Sequence, residues 1–238
     1  MGNVKTLFGI AAVCALLLRA PGAHAAETAA FSFDANASEA APDSILVVRL
    51  LVASAAPLNA YRLILRYPPQ LLTLMKFDNS RSLITVWQSP PAVSQGGTIE
   101  LVGGSTEPFS GANGELGAFV FRAAAEGEAR ITADSAEAYI ADGKGTKAES
   151  RTAPLVLRIA PDAPLIYEET KVDNAPPSVE FIALIADPFN PSQKLLSFNV
   201  KDAETGVGET RVRTRTFLAW SEWRRAQNPV ALAKTVWA

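Results

Sequence analysis

The chain is 238 residues long, 48% hydrophobic and 19% charged, a balance that builds a packed core and excludes a disordered tether. With 22 basic residues against 24 acidic ones it has no basic excess, so it carries no electrostatic footprint for nucleic acid. Its one cysteine, Cys14, and one histidine, His24, both fall within the first 25 residues.

Those 25 residues read as a secretory leader. Lys5 supplies the positive start, Thr6 to Leu18 the apolar run, and Ala23-His24-Ala25 the small-x-small cleavage site. The run is short for a membrane span, and Arg19 and Pro21 interrupt it. Cys14 follows Ala11-Ala12-Val13, which lacks the Leu of a lipobox. Cleavage after Ala25 leaves a chain with no Cys nucleophile, no His base, no Ser-His-Asp triad and no Cys or His zinc ligands. It also leaves no disulfide, so packing alone must hold the exported protein together.

Ala30 to Asn36 alternates Phe31 and Phe33 with small or polar residues, as a first strand does. After the turn residues Ala41-Pro42-Asp43-Ser44, Ile45 to Ser54 is a nearly continuous β-branched and leucine run, read as a strand buried on both faces. Ala55-Ala56-Pro57 leads into Leu58 to Leu74, the most informative stretch. There Tyr61, Leu63, Leu65 and Tyr67 share one parity and Arg62, Ile64 and Arg66 the other, and Pro68-Pro69 ends the strand. Leu71, Leu72 and Leu74 must then be buried in some other geometry.

Residues 76 to 94 are irregular, with a patch of Leu83, Ile84, Val86 and Trp87 before Pro90-Pro91. Gly96-Gly97 is a turn ahead of the strand Thr98 to Val102, and the glycines from Gly103 to Gly117 read as a loop. Further strands follow at Leu116 to Ala123, Ala129 to Ala133, Ala138 to Ile140 before the hairpin signal Asp142-Gly143, and Leu155 to Ile159. Roughly nine short strands and no long amphipathic helix make an antiparallel sandwich. Beyond the prolines of 161–178 lie strands at Val179 to Ile185 and Leu195 to Val200, and an exposed strand at Arg211 to Thr216.

No residues converge on catalysis. The close acidic pairs, Glu168-Glu169 and Asp202 with Glu204, sit in linker and turn chemistry. Asp142-Gly143-Lys144-Gly145 lacks the side-chain oxygens of a calcium loop, since Ile140 and Ala138 occupy the preceding ligand positions. No cofactor or metal is expected. Arg211, Arg213 and Arg215 with Trp220 and Trp223 form either a polyanion stripe or a solvated strand face over core tryptophans. Trp87 and Tyr61 are candidates for a sugar platform or for core packing. Asn36-Ala37-Ser38 fits a glycosylation acceptor.

Leu63-Ile64-Leu65-Arg66-Tyr67-Pro68-Pro69-Gln70-Leu71-Leu72 resembles the Phe-x-Leu-x-Tyr-Asp-Pro-x-x-Leu segment of cohesin domains, with Leu63 for Phe and Pro68 for Asp. Gly97 to Gly104, Gly114 to Phe121, Gly127 to Ile131 and Tyr139 to Thr146 follow in the same order, so the resemblance covers about residues 30–160. It implies a nine-stranded antiparallel jelly-roll sandwich, non-catalytic, that grips a dockerin-like protein through one sheet face. The outward set on that face would be Arg62, Ile64, Arg66, Glu100, Val102, Val120 and Arg122, with the aliphatic members as anchors and the arginines around them. From Asp173 onward, with Lys201-Asp202-Ala203-Glu204-Thr205-Gly206-Val207, the chain resembles the opening of an immunoglobulin-like module, which stops before the fold is complete.

The expected organisation is thus a leader (1–25), a cohesin-like β-sandwich (26–160), a Pro-rich linker (161–178) and a partial Ig-like β domain (179–238). The protein would be secreted or held at the cell surface, with no membrane anchor within this chain. Two other functions remain open at this level: a polysaccharide-binding module on the same fold, and a structural cell-surface spacer.

Overall fold

The computed structural model describes residues 28–94, 96–167, 174–187, 190–202, 204, 206–215, 219–226 and 228–232. The expected leader with Cys14 and His24, and the Glu168-Glu169 pair, lie outside them. Among the described residues there is no helix.

Nine strands are hydrogen-bonded into one curled sheet: β1 (Thr28–Ala35), β2 (Glu39–Ala40), β3 (Ile45–Arg66), β4 (Leu72–Asp78), β5 (Val86–Ser94), β6 (Thr98–Ala123), β7 (Gly127–Ile140), β8 (Glu149–Thr152) and β9 (Leu155–Ile159). Two of them are long, 22 residues in β3 and 26 in β6, and each serves both layers. In the front layer the order is β5, the first part of β6, the last part of β3, then the last part of β7. In the back layer it is β4, the last part of β6, the first part of β3, then β1 and β8. The start of β7 passes to β9 and β2. All pairings are antiparallel except β1 with β8 and β2 with β9.

The Ile45–Ser54 run and the stretch from Leu58 are one strand, since β3 runs straight through Ala55-Ala56-Pro57. The strand bends there: its register against β6 shifts repeatedly between Leu50 and Ala60. The Pro57 carbonyl accepts the amide N–H of Ala141 at 2.8 Å, so the proline costs the ladder little. Nor is the Ile45–Ser54 run buried on both faces. Leu46, Val48, Leu50 and Val52 are fully buried, whereas Ile45, Val47, Arg49 and Leu51 are half-buried. A sandwich layer has one face on the core, and the period of two survives within an all-apolar run.

The glycine-rich segment read as a loop is the middle of β6. Gly117 shows why glycine is needed: it has φ +149°, and a Cβ there would lie 2.3 Å from Cζ of Phe77. Bare backbone lets the strand coil from one layer into the other while the Phe77 ring packs close against it. Leu72 and Leu74 find their burial by crossing to the back layer in β4, after a turn in which Leu71 and Leu72 both donate to the Pro68 carbonyl. Pro90-Pro91 sits in β5, which among the described residues pairs with β6 alone and so presents an edge that tolerates prolines.

Between the layers lies one aromatic line. Trp87 meets Phe77 edge-on at 5.6 Å, Phe77 meets Phe119 at 5.0 Å, Phe119 meets Phe121 at 6.4 Å and Phe121 meets Tyr67 at 5.0 Å. Tyr61 is also interior; burial pushes its hydroxyl pKa up to about 12, and the hydroxyl donates to the Leu58 carbonyl at 3.4 Å.

The first part of the expected linker belongs to the sandwich. Ala41 N–H donates to the Pro164 carbonyl at 2.9 Å and Ile45 N–H to the Ile166 carbonyl at 2.8 Å. Ile166 N–H donates to the fully buried Ser44 hydroxyl at 3.0 Å. From Asn174 onward two small sheets form. β10 (Ser178–Ala186), β11 (Lys194–Lys201) and β14 (Val230–Leu232) make one, and β12 (Arg211–Val212) pairs with β13 (Arg224–Arg225) in the other. Of the strand expected over Arg211 to Thr216, the described residues are regular at Arg211–Val212, and Thr216 lies outside the described residues.

Candidate binding face

Parity places the candidate side chains. Tyr61, Leu63 and Leu65 turn into the core, so Arg62, Ile64 and Arg66 point outward from the front layer. The β6 register sets Val102 beside Arg62, Glu100 beside Ile64 and Thr98 beside Arg66. On the other side β7 sets Glu137 beside Arg62, Ser135 beside Ile64 and Thr132 beside Arg66. Five of the seven expected residues, Arg62, Ile64, Arg66, Glu100 and Val102, therefore form one contiguous patch, with Ile64 and Val102 half-buried at its centre.

Val120 and Arg122 are not part of it. They lie in the back layer, where β6 has already changed sheet: Val120 pairs with Val47 and Lys76, and Arg122 with Ile45 and Thr73. Val120 is also only 3% exposed, although its parity points away from the core. Its strand is flanked on both sides, and Phe119, Val120 and Phe121 are all buried. Parity holds along each strand, but β6 does not stay in one layer, so residues of like parity at its two ends lie on different faces.

The charges on the front face are paired. Arg62 Nη2 meets Glu100 Oε1 at 3.1 Å, Arg66 Nε meets Asp134 Oδ2 at 2.6 Å, and Lys147 Nζ meets Glu137 Oε1 at 2.6 Å. Thr132 donates to Asp134 at 3.1 Å and Tyr139 to Glu137 at 2.9 Å. The Arg66 hydrogen bond holds the Asp134 carboxyl below its ordinary pKa, and the Lys147 and Tyr139 bonds do the same for Glu137. Sequence reading missed Asp134, Glu137, Tyr139 and Lys147 because they come from β7 and the hairpin after it. A strict count of alternation from Ala129 would have put Glu137 inward, but the register slips between Ile64 and Leu65.

A depressed carboxylate pKa adds stability above the unfolded value, and that contribution disappears as pH falls through the folded value. Asp134 should therefore titrate below 3.8, and Arg66→Ala should return it toward that ordinary value. Side-chain carboxyl NMR across pH 2 to 6 reads this directly, and an Asp134 midpoint unchanged by the substitution would contradict the ion pair.

The other candidates resolve differently. Trp87 and Tyr61 are not a sugar platform: Tyr61 is 2% exposed and Trp87 packs edge-on against Phe77. Asp142 is committed to its own turn, accepting from Lys144 N–H at 2.8 Å and from the Thr146 hydroxyl. Trp220 and Trp223 are half-exposed rather than core residues, and they clasp Arg213 between them, each ring centroid 4.5 Å from its guanidinium carbon. Arg211 is bound by Glu209 at 3.0 Å, so the arginines are engaged within the chain rather than offered to a polyanion.

No protein-family profile and no curated protein matches the chain. The solved structures similar to it are cohesin modules. A non-cellulosomal cohesin from the archaeon Archaeoglobus fulgidus is 22% identical, covering 56% of this chain and 91% of that one, with a TM-score of 0.45. CaCohA2 from Clostridium acetobutylicum is 15% identical over 58% and 94%, with a TM-score of 0.48. A cohesin module from a Clostridium perfringens family 33 glycoside hydrolase is 10% identical over 58% and 98%, again at 0.48. Likeness at this level fixes neither a partner nor a binding residue.

Proposed function

We propose that the sandwich is an exported, non-catalytic, cohesin-like module that holds a dockerin-like protein on the front face. One observation carries the reading: Ile64 and Val102 stand half-buried at the centre of an antiparallel face, ringed by Arg62, Arg66, Glu100 and Glu137. An apolar centre with a charged rim is the anatomy of a protein interface. The ion pairs hold the long rim side chains in place before a partner arrives, which lowers the ordering cost of binding. The leader and the absence of Cys and His after residue 25 support export and a non-catalytic role. A polysaccharide site would want a row of exposed aromatics, and among the described residues of this face Tyr139 is the one aromatic.

The test is direct binding of purified residues 26–238 to each dockerin module encoded in the same genome, measured by calorimetry. Micromolar or tighter binding of at least one supports the reading. Binding of none, or retention on insoluble polysaccharide instead, overturns it.

A further inference from the structure

The turn between β11 and β12 is built to fit the turn between β4 and β5. Asn79 Oδ1 accepts the amide N–H of Val207 at 2.9 Å, across a sequence separation of 128 residues. Beside it Gly206 has φ +80°, and a Cβ there would lie 2.3 Å from Asn79 Oδ1 and 3.1 Å from the Asn79 backbone nitrogen. Only glycine permits that approach. Asp202, 6% exposed, shapes the turn from within, its Oδ1 accepting from the N–H groups of Glu204 at 2.9 Å and Gly206 at 3.3 Å.

A second fixed point lies past β13. Asn228 Nδ2 donates to the Phe198 carbonyl at 2.6 Å and its Oδ1 accepts from Phe198 N–H at 3.2 Å, so the side chain stands in for backbone and continues the β11–β14 ladder past Leu196 and Val230. This clamp holds Pro229 in place. Asn228 and Pro229 together border a groove of about 720 Å³ whose floor is front-layer surface, including Arg62, Glu100, Val102 and Tyr139. A smaller cleft of about 410 Å³ separates Trp87 and Pro91 of the β5 edge from Phe198 and Val207.

We propose that the region after Asn174 is locked to the sandwich at Asn79 and supplies one wall of the partner groove, so that recognition is shared between the two. The lock stands on its own geometry; the shared recognition rests on the dockerin-binding reading above. A partner lying on Val102 and Arg62 meets Pro229 at the same time, and only when the two regions keep one orientation.

Residual dipolar couplings on labelled residues 26–238, read beside affinity for the dockerin modules, test both parts. Couplings from 28–167 and 174–232 should fit a single alignment tensor in the native protein. Two tensors should be needed in Gly206→Val, which blocks the close approach, and in Asn79→Ala, which removes only the acceptor and leaves the turn intact. Both variants should bind the partner at least about 10-fold more weakly, mainly through faster dissociation. Two tensors in the native protein, or one tensor in both variants, overturns the lock. Unlocked variants with native affinity overturn the shared groove while leaving dockerin binding in place. A native protein with one tensor and no dockerin affinity keeps the lock and removes the binding reading, and the shared groove with it.

Discussion

Ile64→Asp should abolish partner binding while leaving the fold intact. The side chain sits at the centre of the front patch, between Glu100 on β6 and Ser135 on β7. Burying an aspartate there against a partner leaves a carboxylate without solvent or an assigned cation, on the position where an aliphatic anchor should seat. A loss of about 100-fold or more in affinity, roughly 2.7 kcal/mol, is expected by calorimetry. In the free protein the position is only half-buried and has Arg62 and Arg66 two residues away on the same face, so thermal unfolding should shift little. Arg122→Glu is the matching control. It changes charge by more, yet lies in the back layer, and should bind as the native chain does. Equal losses from both substitutions would mean that the partner does not use the front face.

Phe119→Ala should be the most damaging single core change. Phe119 is 1% exposed, lies on β6 between Val48 of β3 and Phe77 of β4, and is the middle ring of the aromatic line from Trp87 to Tyr67. Truncating a buried phenylalanine costs about 3–5 kcal/mol, and loss of its ring pairs adds to that. With no cysteine after Cys14 there is no cross-link to limit the damage. Against a typical total of about 5–15 kcal/mol the variant should be marginal or unfolded at 37 °C. Denaturant unfolding measures it; a loss below about 1.5 kcal/mol would show that the line is not continuous in solution.

How much of this could be read in the sequence depended on range. The parity of Tyr61, Leu63 and Leu65 against Arg62, Ile64 and Arg66 is a local pattern, and the burial of these residues follows it. The nine-strand sandwich was equally legible, since strand runs and turn residues are local too. What stayed hidden were features set by distant partners. Glycines from Gly103 to Gly117 read as a loop because nothing in their neighbourhood shows Phe77 waiting against Gly117. Val120 read as exposed because the change of layer within β6 is fixed by its register with β3 and β4. Trp87 gave no sign of its edge-on contact with Phe77, nor Ser44 of the chain at Ile166 that its hydroxyl ties down.

The ladder between β3 and β6 also governs how the molecule must assemble. It runs from Arg66 with Thr98 at its closed end to Ile45 with Arg122 at its open end, and both layers hang from it. A chain emerging N-terminus first completes the 22 residues of β3 well before the last of its partner appears. Until Ala123 has emerged, Leu46, Val48, Leu50 and Val52 have only β1 beside them, and the β3 edge that β6 will take stands open. Such non-local pairing folds slowly, in milliseconds to seconds, and its waiting strand is open to mispairing with a neighbouring chain. Assembly should therefore zip outward from the Arg66–Thr98 end, and a chaperone that shields β3 should raise its yield.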